Sequence, residues 1–303
     1  MQLVQVDNVA PGFERILPPG SPLERIHAGN TFGEGPAWNA RDRYLLWTDA
    51  FEDRILKWQP GEGVSTFLSP TGRALAVTYD PQGRLVASGW SARTIWRLEH
   101  DGRMVVLASH YEGKKINTPN DLAVKSDGSI YWTDSASALE SPNFPGEDAQ
   151  QYLDYKALFR VWPDHEGPRP LVLDFETPNG LCFSPDEKLL YVNDTRRRHI
   201  RVFDVQPDGS VANGRVFYVA EGAERGNPDG MKVDSEGNVY CTASGGVHVV
   251  SPEGRLLGRI RLPDVTNLCW GDDDWRTLYV TGRSDVFRIR CNIPGVPLGP
   301  KEG

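Results

Sequence analysis

One pattern recurs along this 303-residue chain and narrows its possible folds more than any other feature. It reads NTPNDLAVKSDGSIYWTD from Asn117, TPNGLCFSPDEKLLYVNDT from Thr177 and NPDGMKVDSEGNVYCTA from Asn227. Each copy has a polar or proline-containing start, an apolar strand-like run, a turn rich in Asp, Gly or Pro, and a second strand-like run. Three further copies follow the template: EGPAWNARDRYLLWTD from Glu34, RALAVTYDPQGRLVAS from Arg73 and TNLCWGDDDWRTLYVT from Thr266. Their leading positions read as Glu34, Leu75, Asn120, Asn179, Asp229 and Asn267, separated by roughly 40 to 60 residues, the period of propeller blades with variable loops.

Each repeat also carries two later strand-like runs. ALFRVWP and RPLVLDF follow SIYWTD, HIRVFDVQP and GRVFYVA follow LLYVNDT, and GVHVVSP and RLLGRIRL follow NVYCTA. The intervening DG, EG and PDG turns supply the positive φ that tight hairpins need. The expected fold is therefore an all-β, six-bladed propeller with four antiparallel strands per blade. The last repeat lacks a fourth strand, because SDVFRIRCN runs into IPGVPLGPKEG. The orphan strand Leu23–Gly29 (LERIHAG) is expected to fill that place and close the ring. This makes residues 1–303 a single domain, with 1–22 an N-terminal extension and 292–303 a C-terminal tail. Amphipathic helices are absent from the pattern, apart from a short turn expected near Glu147–Tyr155.

Composition agrees with this and excludes several classes. The 31 glycines, 23 prolines and 9 tryptophans suit short strands joined by tight turns. A net charge of −8 without a basic face argues against nucleic acid. No run approaches the ~20 apolar residues of a membrane span. The N-terminus lacks a signal-peptide pattern, and the four scattered cysteines (Cys182, Cys241, Cys269, Cys291) read as reduced core thiols, so a cytoplasmic setting is expected. Eight of the tryptophans fall in or beside strand runs as blade packing; Trp90, in SGWSART, stands apart as a candidate pocket wall.

In a propeller the first strand of every blade lines the central channel, so the six leading residues converge near the axis. Glu34, Asn120, Asn179 and Asp229 are all oxygen donors, and two carboxylates with two amide carbonyls suit one hard divalent cation. Each alone reads as a turn residue, or for Asn120 a cap; their shared register is what argues for a site. Strand alternation directs Asp121 away from the side of Asn120, toward a role in the local turn. Asp134 ends its strand in a position echoed by Asp49 and Asp194, a recurring structural acid. The acids of GDDDW read as a solvated hairpin turn. The histidines form no spaced pair and no G-x-S-x-G elbow is present, which leaves serine-hydrolase chemistry unsupported.

From about Gly33 to Arg290 the chain resembles the SMP-30/gluconolactonase family, which includes regucalcin and bacterial sugar lactonases. EGPAW, NTPNDLAV with SDGSIYWTD, TPNGLCFSPDEKLLYVND and NPDGMKVDSEGNVY carry the resemblance. It implies a six-bladed propeller with one catalytic divalent ion on its axis. The family's metal-binding glutamate, asparagine and aspartate fall on Glu34, Asn179 and Asp229, and its pocket asparagine on Asn120, which either binds the ion or faces substrate. Departures lie at the second blade, which reads Ala74-Leu75-Ala76, at SGWSART, and at Thr118, where some members place a sugar-contacting arginine. The insertion SASALESPNFPGEDAQQYLDY (Ser135–Tyr155) replaces a shorter run.

The resemblance implies hydrolysis of a small-molecule lactone. The ion, Ca²⁺ foremost, with Mg²⁺, Mn²⁺, Zn²⁺ or Fe²⁺ as alternatives, would polarise the carbonyl, and Asp229 would activate or orient the attacking water. Asn120, Asp121, Thr118 and Trp90 are the candidate substrate contacts. The insertion is expected to fold over the pocket, offering Phe144, Tyr152 and Tyr155 to a neutral or partly apolar lactone. A metal-dependent esterase or phosphotriesterase, or a non-catalytic metabolite-binding propeller, are the alternatives.

Overall fold

Alternation between buried and exposed strands organises the molecule. The computed structural model describes residues 2–140, 146, 148–162 and 167–297, in which nearly all regular structure is β-strand. Blade I consists of Gly33–Asn39, Tyr44–Asp49, Arg54–Gln59 and Gly63–Leu68, paired antiparallel in that order. Blade II is Ala74–Tyr79, Leu85–Gly89, Thr94–Leu98 and Met104–Ala108; blade III is Thr118–Val124, Ile130–Ser135, Ala157–Val161 and Arg169–Val172. Blade IV is Pro178–Phe183, Leu189–Asp194, His199–Val205 and Val211–Val219; blade V is Met231–Val233, Val239–Ala243, Gly246–Val250 and Leu256–Arg261.

Blade VI takes three strands from the C-terminal region, Val265–Gly271, Thr277–Gly282 and Asp285–Arg290, and its fourth, Pro22–Ala28, from near the N-terminus. The ring thus closes as the pattern predicted. Inner strands are buried on both faces because each is sandwiched between neighbouring blades, whereas an outer strand such as Gly63–Leu68 is largely exposed. Six apolar clusters fill the junctions between successive blades. At the blade VI–I junction, for example, Trp38, Trp47 and Trp58 meet Cys269 and Tyr279.

The residues before Pro22 do more than extend the chain. Gln5–Asn8 adds a fifth strand to blade V, Gln2–Leu3 a fifth to blade VI, and between them and Pro22 lies a helical turn, Phe13–Ile16. Phe13, Ile16 and Leu17 are fully buried in the blade V–VI cluster. The only α-helical turn among the described residues is therefore here and not near residues 147–155, where the described chain is irregular. The described part of the tail, residues 292–297, crosses from blade VI to blade V, with the Pro294 carbonyl accepting from the Ser235 amide. All four cysteines are buried and free; burial pushes the Cys182 and Cys291 thiols up to about 12. Among the described residues no helix is long and apolar enough to cross a membrane.

Candidate active site

First strands start, and second strands end, at the same mouth of the channel. Pairing to the second strand defines the leading residue of each blade. Gly33 opposite Asp49, Pro119 opposite Asp134 and Pro178 opposite Asp194 place Glu34, Asn120 and Asn179 in one register. Asp229 holds the same position in blade V, its amide bonded to the Thr242 carbonyl at 3.0 Å, and Leu75 holds it in blade II. In blade VI, Val265 opposes Gly282, so the leading residue is Thr266; Asn267, expected there, sits one position further in.

A set of side chains that sequence reasoning overlooked locks these positions together. In blades I, II, IV and V the second-strand residue facing the leading position bonds the leading carbonyl of the next blade. Thr48 donates to Leu75 O at 3.0 Å, Ser88 to Asn120 O, Asn193 to Asp229 O and Thr242 to Thr266 O at 2.8 Å. All four are fully buried. The signal was a small polar residue recurring one place before the strand-end acid in WTD and VND. The next position along each first strand is Gly35, Ala76, Asp121, Gly180, Gly230 or Asn267. A Cβ on Gly180 would lie 2.1 Å from Asp229 O, and one on Gly230 2.1 Å from Asn267 Cγ, so these glycines admit the neighbouring strand.

Asp121 and Asn267 occupy the space thus left near the axis. Strand alternation had turned Asp121 away, but register shifts between Pro119 and Leu122 and between Val265 and Asn267 mark bulges that break the period of two. Asn267 Nδ2 donates to Glu34 Oε2 at 3.0 Å and lies 3.4 Å from Asp121 Oδ2, while Asp121 Oδ1 accepts from the Leu122 amide at 2.8 Å. Lys232 Nζ approaches Asp121 Oδ2 at 4.0 Å.

Three carboxylates therefore share a poorly solvated volume. Burial, then the charges of Asp229 and Asp121, hold the Glu34 carboxyl well above its usual range. Burial and Asp121 push Asp229 up to about 8, against partial relief from the Asn179 amide and Arg283. Asn179 Nδ2 donates to Thr195 Oγ1 at 3.1 Å, but its Oδ1 is buried without a hydrogen-bond partner. Repelling carboxylates beside an orphaned amide oxygen are what a hard cation relieves, so the donor chemistry fits a divalent ion. Among the described residues no three His, Cys, Asp or Glu side chains cluster closely enough to enclose a metal alone. A cation would need the amide oxygen too.

The other candidates divide. Thr118 is fully buried and its hydroxyl donates to Ser135 O within blade III, so the structure does not bring it to the channel. Trp90 is half-buried at the mouth in a run of rings: Phe32 stacks on Phe51 at 4.9 Å, and Phe51 lies 6.3 Å from Trp90. The Arg283 guanidinium covers Phe32 at 4.9 Å. Asp49, Asp134 and Asp194 are buried structural acids: Asp49 accepts from Thr31 and Phe32 amides, Asp134 from the Asn117 amide, and Asp194 from Glu176 and Thr177 amides. The GDDDW acids are tied down: Asp272 accepts from Thr277 and Tyr279, Asp273 pairs with Arg43 and Asp274 with Arg290.

The insertion is moored at the mouth end. Arg93, fully buried, donates to the carbonyls of Asp148 and Gln150 from one side and of Ile116 and Asn117 from the other. Glu140 pairs with Arg196 of blade IV. Tyr152 is partly exposed and Tyr155 half-buried; Phe144 lies outside the described residues.

Fold and site define a six-bladed propeller with an oxygen-rich, carboxyl-lined cluster at one end of its axis. The chain belongs to the family described as SMP-30/Gluconolactonase/LRE-like region, which it matches over residues 32–284. It is 30% identical to a gluconolactonase from Zymomonas mobilis, the match covering 96% of this chain and 87% of that one. A 6-deoxy-6-sulfogluconolactonase from Pseudomonas putida is 28% identical over 89% of this chain and 94% of its own. A solved gluconolactonase structure from Xanthomonas campestris superposes with a TM-score of 0.86 at 31% identity, covering 96% of this chain and 95% of that one.

Proposed function

We propose that the protein opens lactone rings with one divalent ion, Ca²⁺ foremost, held by Glu34, Asn179 and Asp229, with Asn120 at the mouth as a further ligand or substrate contact. Family membership and the lactonase relatives make it a carboxylic ester hydrolase of the lactonase type. The observation that carries the metal reading is the poorly solvated, mutually repelling Glu34–Asp121–Asp229 group beside the unpartnered Asn179 Oδ1. Such an ion supplies Lewis acidity toward the lactone carbonyl and charge stabilisation as the ring opens.

The chain's own residues do the rest. Asp229 is half-buried, so one carboxylate oxygen can serve the ion while the other takes a proton from the attacking water. Water oxygen bonds to the carbonyl carbon, the ring C–O bond breaks, and the proton passes from Asp229 to the departing alkoxide, giving the hydroxy acid. The carbonyl locks from Ser88 and Asn193 keep the Asn120 and Asp229 backbones from shifting during this exchange. The four buried thiols support a reducing, cytoplasmic setting.

The Phe32–Phe51–Trp90 run supports a neutral or partly apolar lactone. Arg283 at the end of that run favours a second reading, a lactone carrying an anionic group, as in the name of the Pseudomonas relative. The test is hydrolysis of aldonolactones, alkyl lactones, sulfonated or phosphorylated lactones, aryl esters and phosphotriesters, after chelation and after restoring each divalent ion. Loss of activity on chelation, rescue by one ion and kcat/KM highest for a lactone are expected. Full activity in chelator, or preference for a phosphotriester or acyclic ester, would overturn the reading.

A further inference from the structure

The channel holds a lysine that the reaction above does not use. Lys232 lies in the first strand of blade V, Met231–Val233, three residues beyond Asp229. It lines a cavity of about 770 Å³ that opens at the opposite mouth, between Leu122, Leu181, Phe183 and Trp270. Its side chain is only 18% exposed. The other lysine of that wall, Lys125, is paired with Asp127 and Glu187. Among the described residues, the one carboxylate within ion-pair range of Lys232 is Asp121, and its ammonium otherwise donates to the Met231 carbonyl at 2.9 Å.

Asp121 is well placed to become an extra ligand. Its Oδ2 and Glu34 Oε2 lie on the same donor, Asn267 Nδ2, at 3.4 and 3.0 Å. A dication held by Glu34 and Asp229 is neutralised by those two carboxylates. A third carboxylate would leave the centre net negative and fill the position a lactone carbonyl needs. Oδ1 of Asp121 is held by the Leu122 amide at 2.8 Å, so Oδ2, on the longer 3.4 Å bond from Asn267, is the oxygen better able to move toward the axis. Among the described residues the only cation beside that oxygen is Lys232, reaching up from the far side of the channel.

We propose that Lys232 is a positioning residue that holds Asp121 out of the coordination shell of the axial ion, keeping one position open for substrate. The inference rests on the metal reading above. Lys232 acts through Asp121 and touches neither substrate nor ion.

The test titrates Ca²⁺ and Mg²⁺ into chelator-treated parent protein and into K232M, K232R, D121N and K232M/D121N, by calorimetry. With Asp121 no longer restrained and free to join the ion as a third carboxylate, Ca²⁺ should bind about 3- to 30-fold tighter to K232M. The gain should be larger for Ca²⁺ than for Mg²⁺, because the larger ion accepts the added carboxylate more readily. K232R should match the parent. In the D121N background the Lys232 substitution should change affinity by less than about twofold, since the carboxylate it restrains is gone. If K232M does not fold, K232Q replaces it, with the same expectations. Unchanged or weaker Ca²⁺ affinity in the folded variant, or an equal gain with Asp121 absent, would overturn the inference and leave the metal site standing. No divalent binding by the parent would overturn both.

Discussion

Replacing Asp134 by Asn should favour the folded state progressively as pH rises from about 4 to about 8. Asp134 is fully buried; its Oδ2 accepts from the Asn117 amide at 2.8 Å, but its Oδ1 has no partner. Burial raises its carboxyl from 3.8 to about 7, against smaller opposition from the Asn117 amide and Arg93. Below the unfolded value both states are protonated and the group contributes nothing. Between 3.8 and about 7 the unfolded chain ionises first, so the folded state binds more protons and stability falls as pH rises. Roughly three decades of proton affinity at ~1.4 kcal/mol each amount to a loss on the order of 4 kcal/mol across the window. Asn has no such loss. Its amide adds a fixed cost where Oδ1 now lacks a partner, but that cost cancels when the variant's ΔΔG is compared between pH values.

Urea denaturation of both proteins at intervals across the window measures the drift. Asp49 is the internal control, since it occupies the same register position with the opposite environment. Burial raises it, but the Phe32 and Thr31 amides, the Thr31 hydroxyl and Arg54 more than offset this, so its carboxyl lies below the usual range. Its contribution is present above the unfolded value and lost as pH falls, so Asp49→Asn should be most damaging near neutrality and least in acid. A flat ΔΔG for Asp134→Asn, or a drift of the same sign for both variants, would refute the reasoning.

Three further outcomes follow from packing. Phe13→Ala should cost about 3–5 kcal/mol in denaturant titration, because the ring is fully buried between the N-terminal segment and blades V and VI; Leu3→Ala, on an exposed residue of the same segment, should stay within about 0.5 kcal/mol. Gly230→Ala should displace Asn267, whose side chain would meet the new methyl at 2.1 Å, and lower lactonase kcat more than a distant glycine change such as Gly61→Ala. Arg93→Met removes the bonds to Asp148 and Gln150, so limited proteolysis should cut within residues 136–156 faster than in the parent, while cleavage elsewhere is unchanged.

Blade number and ring closure were readable because both rest on repetition. Six copies of a strand–turn–strand pattern, and one blade short of a strand, leave little freedom once every sheet edge must be paired. The common placement of Glu34, Asn120, Asn179 and Asp229 was readable for the same reason, since a shared repeat position becomes a shared position around the axis. The misreadings arise where the backbone departs from strict alternation. A bulge inserts one residue, so Asp121 turns toward the channel and Thr266 takes the place assigned to Asn267. Thr118 was a candidate because some family members place a sugar-contacting arginine there, yet its hydroxyl is satisfied by a strand partner known only after folding. The burial of Phe13, Ile16 and Leu17 was invisible because their pattern is too short to register as a helix.

The borrowed strand of blade VI has a consequence for how the chain is made. Pro22–Ala28 leaves the ribosome before any of the six blades exists, but its partner, Asp285–Arg290, emerges only after the other five. During synthesis of residues 29–284 this segment must wait without docking elsewhere. Its make-up discourages early partners: it begins with a proline, which cannot donate to a ladder, and places Glu24 and Arg25 on largely exposed positions. Its true partner carries the matching charges, with Arg288 meeting Glu24 at 2.7 Å and Asp285 meeting Arg25 at 3.2 Å. These exposed pairs add little to the finished ring. Their value lies in selection: among the incomplete sheet edges a nascent chain presents, the complementary charges mark the one where this strand belongs.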